Sequence, residues 1–155
     1  GHMITVQTIR FGEVQVDPKD VYRFVKPLPG FEQEVEFALL PTGQEDFLYL
    51  QSLQTPELTF LLTQPFVFFP EYIFDLDDAA QQDLKIVSEA DVQVYSIVKI
   101  EKNTEDILIN LTAPVVFNIN KNLAKQYIIN SSPYSIKQPL DKPLIRKEQE
   151  QYASS

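Results

Sequence analysis

Apolar and polar residues alternate through Ile4-Thr5-Val6-Gln7-Thr8-Ile9, and Gly12-Glu13-Val14-Gln15-Val16 repeats the alternation after a turn-prone break. Successive side chains of a strand point to opposite faces, so this period of two predicts two half-buried strands joined as a hairpin. Further short β-rich runs occupy residues 21–25, 34–40, 47–53 and 58–63, separated by Pro27-Leu28-Pro29-Gly30, Pro41-Thr42-Gly43 and Thr55-Pro56. Residues 92–101, 106–111, 114–119 and 124–130 continue the series. Many short strands at turn spacing predict an all-β single domain, a barrel-like fold or sandwich of short antiparallel strands with meander or Greek-key connections.

Two segments break the pattern. Asp77-Asp78-Ala79-Ala80-Gln81-Gln82-Asp83-Leu84 combines good helix formers with leading acids, which predicts one short helix capped by Asp75 or Asp77. Phe66-Val67-Phe68-Phe69 lies between Pro65 and Pro70, where it cannot extend a sheet ladder. It reads as core, or as part of the lining of a groove for an amphipathic helix. From Asp141 to Ser155 the chain is polar and without apolar period, as expected of a tail that folding does not need. The resulting division is a tag remnant at 1–2, a β domain over 3–140 and a tail over 141–155.

Composition narrows the chemistry. Gly1-His2-Met3 has the form of a cleaved purification tag followed by a start methionine, and His2 is the only histidine in a chain with no cysteine. Without native His or Cys there is no thiol nucleophile, imidazole base or soft metal site, which leaves carboxylates, Lys or Tyr for any catalysis. Asp75, Asp77 and Asp78 lack the spacing of a calcium loop, and four glycines are too few for a phosphate-cradling loop or a nucleophile elbow. Paired carboxylates of the glycosidase kind arise by chance in any acidic chain. The expectation is a protein that is not an enzyme and uses no cofactor or metal. No basic, apolar leader and no stretch approaching about 20 apolar residues is present, so a cytoplasmic location without membrane contact is expected. The glycosylation patterns at Asn110 and Asn130 then carry no weight.

Charge points to a partner. The formal net charge is −9, and between Lys26 and Lys85 eleven acidic residues stand with no basic one. Such a block repels phosphate backbones, so direct nucleic-acid binding is not expected, and a basic protein is its natural complement. The densest part, Glu71, Asp75, Asp77, Asp78 and Asp83, is the candidate docking site, although the same acids also serve a helix cap or plain solubility. A barrel that binds a small ligand or carbohydrate, and a carboxylate hydrolase, are the competing classes.

Leu28-Pro29-Gly30-Phe31-Glu32, Leu50-Gln51-Ser52, Pro65, Pro70-Glu71-Tyr72, the segment from Asn110 through Leu111-Thr112-Ala113-Pro114-Val115-Val116-Phe117 to Asn118, Gln126 and Tyr134 follow one another in the order and spacing that mark the FliW family. The chain resembles that family from about Ile4 to Leu140. At Lys121-Asn122-Leu123 it departs from the pattern, where a glycine often precedes the Gln126 strand. The resemblance implies a flagellar assembly factor and chaperone that binds the RNA-binding translational repressor CsrA, relieving repression of flagellin messenger RNA, and that also binds flagellin as a partner switch. It also makes Asn110 and Asn118 candidate partner-binding residues.

Overall fold

A computed structural model describes residues 2–147. The predicted hairpin forms as β1 (Ile4–Thr8) and β2 (Gly12–Val16), paired from Ile4 with Val16 to Thr8 with Gly12. The strands that follow are β3 (Val21–Phe24), β4 (Glu36–Pro41), β5 (Phe47–Ser52), β6 (Thr59–Thr63), β7 (Val92–Ile100), β8 (Ile107–Ile109), β9 (Val115–Asn118), β10 (Leu123–Gln126) and β11 (Gln138–Pro139). They form one sheet in the order β11-β8-β7-β6-β5-β4-β3-β10-β9. Long β7 closes it, because its first half, Val92 to Tyr95, pairs with β9 while its second half pairs with β6 and β8. Seven strands thus make a barrel without a free edge, and β8 and β11 extend it as a flap. The expectation of antiparallel strands holds at every pairing but one: β10 runs parallel to β3, which the long chain path between them permits.

Period-two alternation decides which side chains fill the barrel. Tyr22 and Phe24, Phe37 and Leu39, Leu48 and Leu50, Phe60 and Leu62, Tyr95 and Ile97, and Val115 and Phe117 all point inward, joined by Ala124 and Leu28. Burying each large side chain contributes roughly 1.5–3 kcal/mol. Leu28 reaches one end of the barrel because Pro29 and Gly30 turn the chain: Phe31 N–H donates to Leu28 O over 2.9 Å and Gly30 has φ +85°. Such a turn requires positive φ at its third residue, which glycine adopts without strain.

Two further apolar clusters lie outside the barrel. The β1–β2 hairpin lays Val6 and Val16 over Val21, Ala38 and Leu40. On the other side, Phe69, Tyr72, Val98, Ile109, Leu111 and Tyr134 pack together beneath the segment after β6 and the C-terminal segment. Part of the expected tail belongs to this cluster. Leu144 packs against it, Ile145 N–H donates to Gln138 Oε1 over 2.8 Å, and Lys147 N–H donates to Pro133 O over 2.6 Å. The division at Asp141 therefore does not mark the end of packing, because Leu144 supplies apolar surface that the polar sequence around it conceals; residues 148–155 of the tail lie outside the described residues.

At the departure from the family pattern, Asn122 takes φ +55°, a conformation open to asparagine as well as glycine. Its Nδ2 donates to Lys19 O and Val21 O over 2.9 and 2.8 Å, fastening the turn before β10 to the start of β3.

Candidate functional site

After β6 the chain turns sharply. Pro65 opens a four-residue helix, α1 (Pro65–Phe68), and Pro70 ends it, since proline supplies no N–H and disfavours helix in the residue before it. The expected core run is split by this turn: Phe69 is buried, whereas Phe66 and Val67 are 42% and 49% exposed.

Two tyrosines hold the next stretch. Tyr72 Oη donates to Leu111 O over 2.8 Å, Ile73 N–H donates to Tyr134 Oη over 3.1 Å, and the two rings meet edge to face with centroids 4.8 Å apart. Burial, with Tyr134 alongside, pushes the Tyr72 hydroxyl pKa above the usual tyrosine range. Phe74 stacks on Tyr127, whose Oη accepts from Asp77 N–H over 3.2 Å.

The expected helix forms as α2 (Asp78–Asp83). Asp77 Oδ1 accepts from Ala80 N–H over 2.8 Å, which satisfies a free amide of the first turn. Its C-terminal end is held from below: Asn118 Nδ2 donates to Leu84 O over 2.8 Å and to Lys85 O over 3.2 Å. The chain then passes Ile86 and Val87 to a 3-10 turn (Glu89–Asp91) leading into β7. Val87 and Ser88 N–H groups donate to Asp91 Oδ2, and Asn120 donates to Asp91 Oδ1 over 2.6 Å. The Val87 amide first, then Asn120 and the Ser88 amide, hold the Asp91 carboxyl below the usual carboxylate range.

Between these walls runs an open groove of about 880 Å³. Its apolar lining comes from Phe66, Phe74, Leu76, Ile86, Val87, Val92 and Val94, and its margin carries Asp75, Glu89, Gln64, Gln81, Ser88 and Gln93. Val87 and Ile73 stand 87% and 70% exposed, so the groove and its shoulder form an apolar surface that none of the described residues covers.

The candidate residues divide sharply. Asp75 lines the groove, Asp78 lines the adjoining hollow with Ile86 and Val87, and Glu71 is exposed on the same segment. None of these three carboxylates makes a hydrogen bond or ion pair among the described residues, so all face solvent uncommitted. Asp77 is occupied by its cap. Asp83 is paired with Lys125 at 3.3 Å and Lys26 at 3.6 Å, and the Lys125 hydrogen bond leads in holding its pKa low. Asn110 Oδ1 accepts from the Thr112 and Ala113 N–H groups, both at 3.0 Å, and shapes the turn that presents Leu111 O to Tyr72. Asn118 is fully buried, with Oδ1 accepting from Asn120 and Lys121 N–H, so it positions α2 and the Val87 loop and does not reach the surface. Missed from sequence were Glu89 and the apolar lining beyond Phe66. Only the pair Ile86-Val87, apolar and outside any periodic run, hinted at it.

Among the described residues no cluster of three or more metal-ligating side chains occurs, and no helix is long and apolar enough to cross a membrane. Comparison with known proteins adds identity to this geometry. The sequence model of the FliW protein family matches residues 5–140. The chain belongs to the FliW family. It is 41% identical over 135 residues to the flagellar assembly factor FliW of Geobacillus sp. (strain WCH70), covering 87% of this chain and 94% of that protein. It is 43% identical over 136 residues to the protein of that name from Bacillus licheniformis, covering 87% and 95%. A crystal structure of the flagellar assembly factor FliW superimposes with a TM-score of 0.81 at 38% identity, covering 90% of this chain and 98% of that one. Three of the segments that suggested FliW in the sequence are joined in space: Tyr72, the turn after Asn110, and Tyr134 together fix one wall of the groove.

Proposed function

We propose that this protein is a cytoplasmic flagellar assembly factor that works by contact with other proteins and not by catalysis. It captures a CsrA-type RNA-binding repressor, frees flagellin messenger RNA for translation, and yields its hold when flagellin occupies it. The observation that carries this reading is the apolar groove, uncovered among the described residues, with Asp75 and Glu89 on its margin and Glu71 and Asp78 beside it. Apolar side chains of a partner supply affinity there, and the carboxylates favour a basic partner over a nucleic acid. Because an RNA-binding protein needs a basic surface, a docked acidic face would also repel the phosphates of its RNA. The relatives described above, flagellar assembly factors, agree with a role in the flagellar system.

Titration of purified CsrA-type repressor and purified flagellin into the protein by calorimetry tests this. Saturable binding of both, with release of a repressor-bound flagellin leader RNA on adding the protein, is expected. Absence of heat with either partner, at concentrations where the folded protein is verified, would overturn it.

A further inference from the structure

A second hollow of the barrel adjoins the groove, sharing Gln64 and Gln93 with it, at the end opposite Leu28. Where β3 begins, β4 ends and β9 ends, the mouth opens into a cavity of about 410 Å³, large enough for a small molecule. Its floor is Leu39, Leu48 and Phe117, and the Phe117 ring stands near perpendicular to those of Tyr22 and Tyr95, with centroids 4.9 and 5.4 Å away.

Both tyrosines are at least nine-tenths buried, at 4% and 9% exposed, and both line the cavity, yet neither hydroxyl makes a hydrogen bond among the described residues. Ser96 Oγ is the one buried side-chain polar atom without a partner among the described residues, so the two tyrosine hydroxyls are not sealed in but open onto the cavity, where a ligand or solvent serves them. Asp20 is the sole charged residue of the lining among the described residues, and there its carboxylate also makes no hydrogen bond or ion pair. Burial first, then the charge of Asp20 and the neighbouring Tyr95, raise the Tyr22 pKa, which places these groups within electrostatic reach of one another and keeps the phenol protonated.

We propose that the barrel mouth is a binding site for a small organic cation, an ammonium or guanidinium on a short aliphatic stem. The cationic head lies between the Asp20 carboxylate and the Tyr22 and Tyr95 hydroxyl oxygens, which accept its N–H groups, and the stem rests on Leu39 and Leu48. A charge-assisted bond to a carboxylate is about twice as strong as a neutral one, and an anion would meet only repulsion from Asp20. The rings present edges to one another and little exposed face, which does not suit a stacked sugar.

The test uses n-butylguanidinium, with pentan-1-ol and pentanoate as neutral and anionic probes of similar stem, each titrated into the full chain by calorimetry. The expected result is one saturable site for the guanidinium with Kd of about 1 mM or tighter, binding at least about tenfold weaker for the alcohol, and none for the acid. Asp20→Asn should weaken the cation at least about tenfold, a loss of about 1.4 kcal/mol, and Glu89→Gln in the neighbouring groove should leave it unchanged. The double variant Tyr22→Phe, Tyr95→Phe keeps the rings and should weaken it several-fold with the fold intact. Equal binding of alcohol and cation, failure to saturate, or an affinity insensitive to both Asp20→Asn and the tyrosine pair overturns the proposal. Loss of binding through Glu89→Gln instead would assign the cation to the groove and overturn it as well.

Discussion

Tyr72 and Tyr134 bind each other's neighbourhoods: Tyr72 Oη donates to Leu111 O, and Tyr134 Oη accepts from Ile73 N–H, the amide that follows Tyr72. Three segments far apart in sequence are fixed by this exchange, and with them the wall that carries Phe66, Ile73 and Phe74. Replacing Tyr72 by Phe keeps the ring packing and leaves Leu111 O buried without its donor, which should cost about 1–3 kcal/mol in urea unfolding. No loss of stability would show that the hydroxyl is not what holds the segment.

The same tyrosine sets a pH response. A pKa raised in the folded state means the folded protein keeps a proton that the unfolded chain releases. The stability this gives is full below the ordinary tyrosine pKa of 10.0 and is lost as pH rises above it. Alkaline unfolding should therefore begin above about pH 10, with a shallower slope in Tyr72→Phe; equal slopes would contradict the assignment.

Buried and exposed candidates should behave oppositely. Asn118→Ala removes four hydrogen bonds to the α2 end and the Asn120 turn and should destabilise by more than about 2 kcal/mol, disturbing every interaction of the Val87 loop. Reversing Glu71, Asp75 and Asp78 to Lys should leave the melting temperature nearly unchanged, slow association with the CsrA-type repressor, and reduce the salt dependence of its binding, since exposed charges act through a screening length of about 8 Å. Binding to flagellin should change little. A variant with unaltered association rate would reduce these acids to solubilising charge.

The fold was legible because period-two alternation reports directly which side chains enter a barrel: Tyr22 and Phe24, or Val115 and Phe117, declare their shared face in sequence. Closure was not legible, because the pairing of β7 with β9 depends on residues twenty or more apart and leaves no local mark. At the site, the acids were visible as charge, but charge does not distinguish uncommitted Asp75 from Asp77, spent on a cap, or Asp83, spent on Lys125 and Lys26. Asn118 was visible as part of a family segment, and only its burial shows that it works from inside.

The C-terminal segment offers a separate check. Leu144, Ile145 and Lys147 make packing and hydrogen-bond contacts with the second outer cluster and its neighbours. Truncation after Leu140 should lower the melting temperature relative to truncation after Lys147, by about 2 °C or more. Equal values would show that these contacts add nothing.

The central claim, that the groove is the partner-binding face, is tested most directly by calorimetric titration of the CsrA-type repressor into Val87→Asp. Val87 is 87% exposed and makes no contribution to the core, so the variant should fold with an unchanged melting temperature. A charged carboxylate in the apolar lining should weaken binding at least about tenfold, equivalent to about 1.4 kcal/mol. An affinity equal to that of the unaltered protein would contradict the claim and place the partner on another face.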